Sequence, residues 1–113
     1  MQNVTLPQLL PAYPTCQQFA DQIGSSFAVS VSGGALVQLE LVHVTPYEQS
    51  LDVKDKSLKI QAFSITFSGA RAQHLPQNSY TMEHPALGEM NIFIVPIGPD
   101  AQGMRYEAVF NFD

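Results

Sequence analysis

The clearest shortage in this chain of 113 residues is of charge. Charged side chains make up 13% of the residues, against roughly 25% in an average soluble domain. Five Lys and Arg stand against ten Asp and Glu, which gives a net charge of −5. Nucleic-acid binding needs an uncompensated basic surface that releases counterions from phosphate. The charge balance therefore excludes nucleic acid as a partner and, for the same reason, a polybasic membrane anchor.

Long apolar runs and paired cysteines are also missing. The apolar segments are far shorter than the roughly 20 residues that cross a bilayer, so the sequence predicts no membrane insertion. No basic residue precedes the first apolar segment, and prolines interrupt it, which predicts cytoplasmic synthesis without a signal peptide. Later assembly into an extracellular or particle-bound complex stays open. Cys16 is the only cysteine, so an intramolecular disulfide is excluded, and we interpret it as a small buried side chain.

Residues 1–14 form what we call the N-terminal arm, which is uncharged and rich in proline. Its prolines favour extended backbone over helix. Leu9, Leu10 and Tyr13 give the arm apolar side chains for contact with its own domain or with a neighbouring chain. Packing on its own domain is favoured, because compact domains usually hold apolar termini. Residues 15–113 are predicted to form a single β domain.

One short helix is predicted at the start of this domain. Thr15 and Gln18 match the Ser/Thr-x-x-Glu/Gln capping box, which begins a helix at Cys16. Phe19 and Ile23 are four residues apart and are expected on one helix face. Gly24 ends the helix.

The chain after Gly24 is predicted to be strands and turns. Residues 27–31 and 35–44 alternate apolar and polar side chains, as half-buried strands do. The alternation slips near Gln61 and Ala62, which predicts either a bulge or a strand that passes between two packed layers. Residues 90–97 are apolar on both faces, which is typical of a strand buried on both sides.

The last strand, residues 105–112, places four apolar side chains on one face. It is expected to pair with residues 91–97 inside the sheet, because an apolar strand left as a free edge promotes aggregation. The sequence therefore predicts an all-β fold, a small antiparallel barrel or sandwich of about six strands with one short N-terminal helix. It does not choose between barrel and sandwich.

The polar residues form no recognisable catalytic or metal-binding motif. Glu40 and His43 are three residues apart, so in a regular strand they are expected on opposite faces. His84 precedes Pro85, which is typical of a turn histidine that bonds to backbone. Nucleotide-binding and nucleophile-elbow motifs are missing. We predict no catalytic residue, metal or cofactor, which favours a protein without enzymatic activity.

Three segments carry a resemblance to a known family. FSITFSG, LPQNSYTMEHPALGEMNIFIVPIG and YEAVFN resemble the uncharacterised DUF6916-like domains, a family of small bacterial domains, over roughly Cys16 to Asn111. The features that carry the resemblance are Phe67, Tyr80, His84, Leu87, Gly88, Phe93, Pro96 and the run from Tyr106 to Asn111. The resemblance implies a compact β-rich unit with no assigned chemistry and no cofactor, and it supplies no catalytic residue.

Two functions remain open after these observations. The first is a non-catalytic protein-interaction or assembly module with a protein partner or self-association, by analogy with small β domains of phage-tail-like and fibre-associated complexes. The alternative is a small-ligand or carbohydrate-binding barrel with weak enzymatic activity, in which Tyr47, Tyr80 and Tyr106 offer stacking surfaces. Glu107 is expected to bond a backbone turn or to pair with Arg71 or Arg105. The candidate binding residues are Leu9, Leu10, Tyr13, Tyr80, His84, Tyr106 and Glu107.

Overall fold

The computed structural model describes residues 13–47 and 61–112. These residues form one helix and six strands, joined by turns and loops. The elements are α1 (Cys16–Ala20), β1 (Ser26–Ser30), β2 (Leu36–Pro46), β3 (Gln61–Gly69), β4 (Asn78–His84), β5 (Gly88–Asp100) and β6 (Gly103–Phe112). A single turn of 3₁₀ helix, Ser32–Gly34, connects β1 to β2.

Helix α1 begins as predicted and ends earlier. The Thr15 hydroxyl accepts from the Gln18 N–H at 3.1 Å, and the Gln18 side chain accepts from the Thr15 N–H at 2.8 Å, which completes the capping box. After Ala20 the backbone bonds tighten, because the Ile23 N–H donates to the Ala20 carbonyl three residues back. This turn moves Ile23 away from the face of Phe19. Phe19 is fully buried, whereas Ile23 lies beyond the end of α1 and is 49% exposed, so the prediction that the two share one helix face was wrong.

The six strands form a closed antiparallel barrel in the order β1-β2-β3-β6-β5-β4. This confirms the all-β prediction and selects the barrel over the sandwich. β6 lies between β3 and β5, so the final strand is internal to the sheet, as its apolar face predicted. Its ladder with β3 is unbroken from Gln61–Phe112 to Gly69–Met104, and no bulge occurs at Gln61 or Ala62. The ladder that closes the barrel, between β1 and β4, joins only two residue pairs.

Apolar side chains fill the barrel interior, and both ends are covered. At one end, here called the helix end, the Phe19 ring of α1 packs against three other rings, those of Phe27, Phe63 and Phe110. At the opposite end, here called the loop end, Leu75 from the β3–β4 loop is buried in the same core. The lumen is therefore a packed core.

Two irregularities in the strands change which side chains face outward. A register shift between Leu41 and His43 inserts one extra residue in β2. Glu40 pairs with Ser68 and His43 with Thr66, so both project from the outer surface, and the prediction that they point to opposite faces was wrong. A second shift lies between Pro96 and Gly98 in β5.

The outer face of β5 is not buried, although its sequence predicted burial on both sides. Met90, Ile92 and Ile94 point into the core. Phe93 and Ile97 are 50% and 52% exposed. A barrel wall has only one inner face, so the second apolar row of β5 lies on the surface. This row is the first indication of a site on the outside of the barrel.

Candidate functional site

The predicted site residues fall in separate places. Leu9 and Leu10 lie outside the described residues. Tyr80 and Tyr106 lie at the loop end, His84 lies where β4 closes onto β1, and Glu107 lies on the outer wall. Tyr13 lies between β5 and β6 near the helix end.

The hydroxyls of Tyr80 and Tyr106 hold the loop that covers the loop end. The Tyr106 hydroxyl accepts from the Leu75 N–H at 2.9 Å and donates to the Gln73 carbonyl at 3.0 Å. The Tyr80 hydroxyl donates to the Pro76 carbonyl at 2.6 Å. Burial, and then the neighbouring Tyr106, raise the pKa of Tyr80 above its ordinary value. Both tyrosines are buried and bonded to backbone, so they act as structural supports for this loop.

His84 is a buried turn histidine, as its position before Pro85 predicted. Its Nδ1 accepts from the N–H groups of Ala86 and Leu87 at 3.0 and 3.3 Å, so this nitrogen carries no proton. The proton is on Nε2, which donates to the Ser25 hydroxyl at 2.8 Å. Ser25 in turn donates to the Gln22 carbonyl at 2.6 Å. Burial lowers the pKa of His84, which keeps the ring neutral.

This hydrogen-bond chain differs from that of a serine nucleophile activated by a histidine. A catalytic histidine takes the proton of the serine hydroxyl, whereas here the histidine donates and the serine proton is held by a carbonyl. A shallow surface depression of about 550 Å³ lies beside the pair, lined in part by Glu83 and Pro85. Among residues 13–47 and 61–112, no three His, Cys, Asp or Glu side chains lie close enough to hold a metal ion.

Glu107 does not form the predicted ion pair. The single ion pair found in the described residues joins Arg105 to Asp100 in the β5–β6 turn. The Gln102 N–H and the Arg105 guanidinium donate to Asp100, and these bonds lower the pKa of its carboxyl. Arg71 donates to the carbonyl of the same Asp100. Both arginines are therefore engaged at this turn, and Glu107 lies on the outer wall between Thr66 and Val95.

The most distinctive site is a groove where β5 and β6 separate. Their ladder runs from Asp100–Gly103 to Val95–Glu107 and stops there, while β6 continues beside β3 to Phe112. Between the separated strands lies a cavity of about 190 Å³. We call this cavity the β5–β6 groove, and it is lined by Tyr13, Asn91, Ile92, Phe93, Ala108, Val109 and Phe110.

Tyr13 fills part of the β5–β6 groove from the N-terminal arm. Its hydroxyl donates to the Asn91 carbonyl at 2.7 Å, and its ring lies 5.4 Å from that of Phe110. The side chains of Phe93 and Val109, on opposite walls, are 50% and 59% exposed. The arm residue Tyr13 thus contacts its own barrel, while two apolar side chains beside it remain open to solvent.

Asn91, Phe93 and Val109 line the groove but were not among the residues predicted to form a site. Val109 carried a usable signal, because it is the one apolar side chain on the otherwise polar face of β6. Phe93 carried the opposite signal, since an apolar row on both faces of β5 suggested burial. The strand separation itself has no signature in the sequence, so the groove could not have been predicted.

Comparison with known proteins identifies a family and no activity. Within the described residues no helix has the length and apolarity to cross a membrane. Neither the curated proteins nor the solved structures contain a significant match to this chain. The family model for the domain of unknown function DUF6916 matches residues 14–110, which include all six strands except the end of β6. The chain therefore belongs to the DUF6916 family.

Proposed function

We propose that the protein is a non-catalytic interaction module that docks through the outer wall of β5 and β6. The observation that carries the proposal is the pair of exposed apolar side chains, Phe93 and Val109, on either side of the β5–β6 groove. Ile97 extends the apolar surface along β5. Exposed apolar side chains grouped in this way mark protein-contact surfaces more often than scattered ones do.

The filled interior supports docking over ligand binding. Barrels that bind small molecules enclose a cavity of several hundred Å³. Here Phe27, Phe67 and Tyr106 are fully buried inside the barrel, and both ends are covered. Of the three tyrosines expected to stack on a ligand, Tyr80 and Tyr106 are buried and Tyr47 alone is exposed. Within residues 13–47 and 61–112, no contact specifically favours the ligand-binding alternative.

A site-specific crosslinker tests the proposed surface. Photoreactive benzoylphenylalanine replaces Phe93 in one variant and Leu36 in a matched control, because Leu36 is 61% exposed on β2. We expect crosslinks in the native host from position 93 to one defined protein, identified by mass spectrometry, and none from position 36. Equal crosslinking at both positions, or none at position 93, contradicts the proposal.

A further inference from the structure

The β5–β6 groove also indicates a specific partner, an inference that rests on the proposed function. We propose that the groove also binds residues 1–12 of the N-terminal arm of a second copy of this chain, so that two copies exchange these residues about a two-fold axis while each Tyr13 stays in its own groove. Exchange of an identical element between protomers is a low-cost route to a dimer, because each copy supplies both halves of the contact.

The backbone of the groove is arranged to accept an extended strand. In an antiparallel ladder, the N–H and C=O of one residue point to the same side. The Tyr13 hydroxyl bonds to the Asn91 carbonyl from the groove, so the backbone N–H and C=O of Asn91 point toward β6. By the alternation along a strand, the backbone N–H and C=O of Phe93 point the same way. Val95 has the same alternation as Asn91 and pairs with Glu107, so the backbone N–H and C=O of Glu107 point toward β5. Those of Val109, two residues further along β6, point toward β5 as well. Two facing strand edges with apolar side chains beside them are the usual requirement for binding by β-strand addition.

The chemistry of the N-terminal arm matches that of the groove. Among residues 13–47 and 61–112, those that line the groove carry no charged side chain. The arm is also uncharged, because the first charged residue of the chain is Asp21. An uncharged segment with leucines enters such a groove without stripping water from an ion, which would be costly. Leu6, Leu9 and Leu10 supply its apolar side chains.

The spacing of these leucines favours a second copy over the arm's own barrel. Leu6, Leu10 and Tyr13 each precede a proline, and residues before proline favour extended backbone. Leu10 and Leu9 lie three and four residues before Tyr13, which corresponds to about 10–13 Å in an extended chain. Each wall of the groove is three residues long, about 7 Å from the first to the last Cα. A separation of about 10–13 Å exceeds the length of either wall, which is why a second copy is the partner proposed for leucines so spaced from a Tyr13 that already lies in its own groove.

Complementary variants separate exchange from other modes of association. A donor variant carries Phe93→Ser and Val109→Ser, which spoil the groove and keep the arm. An acceptor variant lacks residues 1–12 and keeps the groove. By analytical ultracentrifugation we expect the wild type to be a dimer and each variant alone to be a monomer. An equimolar mixture should form a one-to-one dimer, weaker than the wild type because one of its two arm contacts is lost.

Two controls keep the experiment decisive. Leu36→Ser removes an equally exposed apolar side chain from β2 and should leave the dimer intact. Circular dichroism and urea unfolding establish that each variant is folded, which is expected because the substituted side chains are exposed.

Several outcomes overturn arm exchange. A mixture that stays monomeric while the wild type dimerises shows that the arm does not bind in trans. A monomeric wild type shows the same, and binding of a synthetic peptide of residues 1–12 to the acceptor variant then places the arm on its own barrel. A dimer that survives loss of residues 1–12 but not the groove substitutions overturns exchange and keeps the groove as a contact surface. Failure of the proposed function differs, because position 93 then crosslinks to no protein, or no more than position 36 does.

Discussion

The two neighbours of β6 treat the strand very differently. β3 pairs with it without interruption from Gly69–Met104 to Gln61–Phe112, whereas β5 pairs only with the half that ends at Glu107. Where β5 departs, the Tyr13 side chain takes the place of a strand and bonds to the Asn91 carbonyl. The short β1–β4 ladder is supplemented in a similar way by the bond between His84 and Ser25. This barrel is therefore held by a continuous backbone ladder between β3 and β6. Where the β5–β6 and β1–β4 ladders are short, side-chain hydrogen bonds supplement them.

The largest loss of stability is expected from a substitution at Gly103, where β6 begins, next to its continuous ladder with β3. A Cβ added there would lie 2.2 Å from the Gly69 carbonyl oxygen, and the φ of +154° is unfavourable for other residues. We expect Gly103→Ala to lower the free energy of unfolding by about 3 kcal/mol or more, from backbone strain and overpacking together. Urea denaturation measures the loss.

Gly98→Ala is the matched control for this prediction. Gly98 also has a positive φ, of 105°, but in the described part of the chain a Cβ there has no atom within 4 Å other than those of its chain neighbours. Only the strain remains, about 1–2 kcal/mol. Equal losses in the two variants would show that the contact between Gly103 and Gly69 is not tight in solution.

Replacing tyrosine by phenylalanine removes one hydroxyl oxygen. It can be done at Tyr106, in the continuous β3–β6 ladder, and at Tyr13, beside the separated strands β5 and β6. Tyr106→Phe leaves the buried Leu75 N–H without its acceptor, and an unsatisfied buried group costs about 1–3 kcal/mol. Tyr13→Phe removes one bond at an exposed site, where the Asn91 carbonyl can turn to water, and should cost about 1 kcal/mol or less. Urea denaturation of both variants ranks them, and a larger loss for Tyr13→Phe would reverse the comparison.

The smallest expected effect is a pH dependence of the free energy of unfolding. It comes from His84, beside the short β1–β4 ladder. The folded-state pKa of His84 is below 6.5. Between that pKa and about 6.5, the His84 ring binds a proton in the unfolded chain and stays neutral in the folded chain. The free energy of unfolding should therefore fall as pH drops below about 6.5 and level off below the folded-state pKa. Urea denaturation at several pH values should show this loss in the wild type.

His84→Asn should remove that pH-dependent loss, because the asparagine side-chain oxygen can still accept from the Ala86 N–H and does not titrate. His43→Asn is the control, since His43 is exposed on the outer wall, and it should preserve the loss. A pH dependence unchanged by His84→Asn would assign it to other groups.

Much of the fold follows from patterns of two and four residues in the sequence. Apolar and polar residues alternate around Phe27 and Val29 and again along β6. Because side chains of a strand point alternately to its two faces, this pattern predicts which side chains face the core. The capping box at Thr15 predicts where α1 begins, since it satisfies backbone donors locally. These features depend on near neighbours alone, so the sequence is enough to predict them.

The features missed by the sequence depend on the whole barrel. The extra residue in β2 brings Glu40 and His43 to one face, and nothing in the local residues requires it. Outward exposure of Phe93 follows from closure into a barrel, which a strand pattern alone cannot distinguish from a buried layer. The groove requires β5 and β6 to separate beyond Val95–Glu107, which depends on pairing across the whole closed sheet and not on near neighbours in the sequence.

The position of β6 has a consequence for biosynthesis. The strands on both sides of it are made earlier, so the sheet cannot become a closed ring until residues 103–112 have left the ribosome. Until then β3 and β5 lack the neighbour that joins them, and their apolar rows can associate wrongly with other chains. We therefore expect a nascent chain that stalls before β6 to be prone to aggregation.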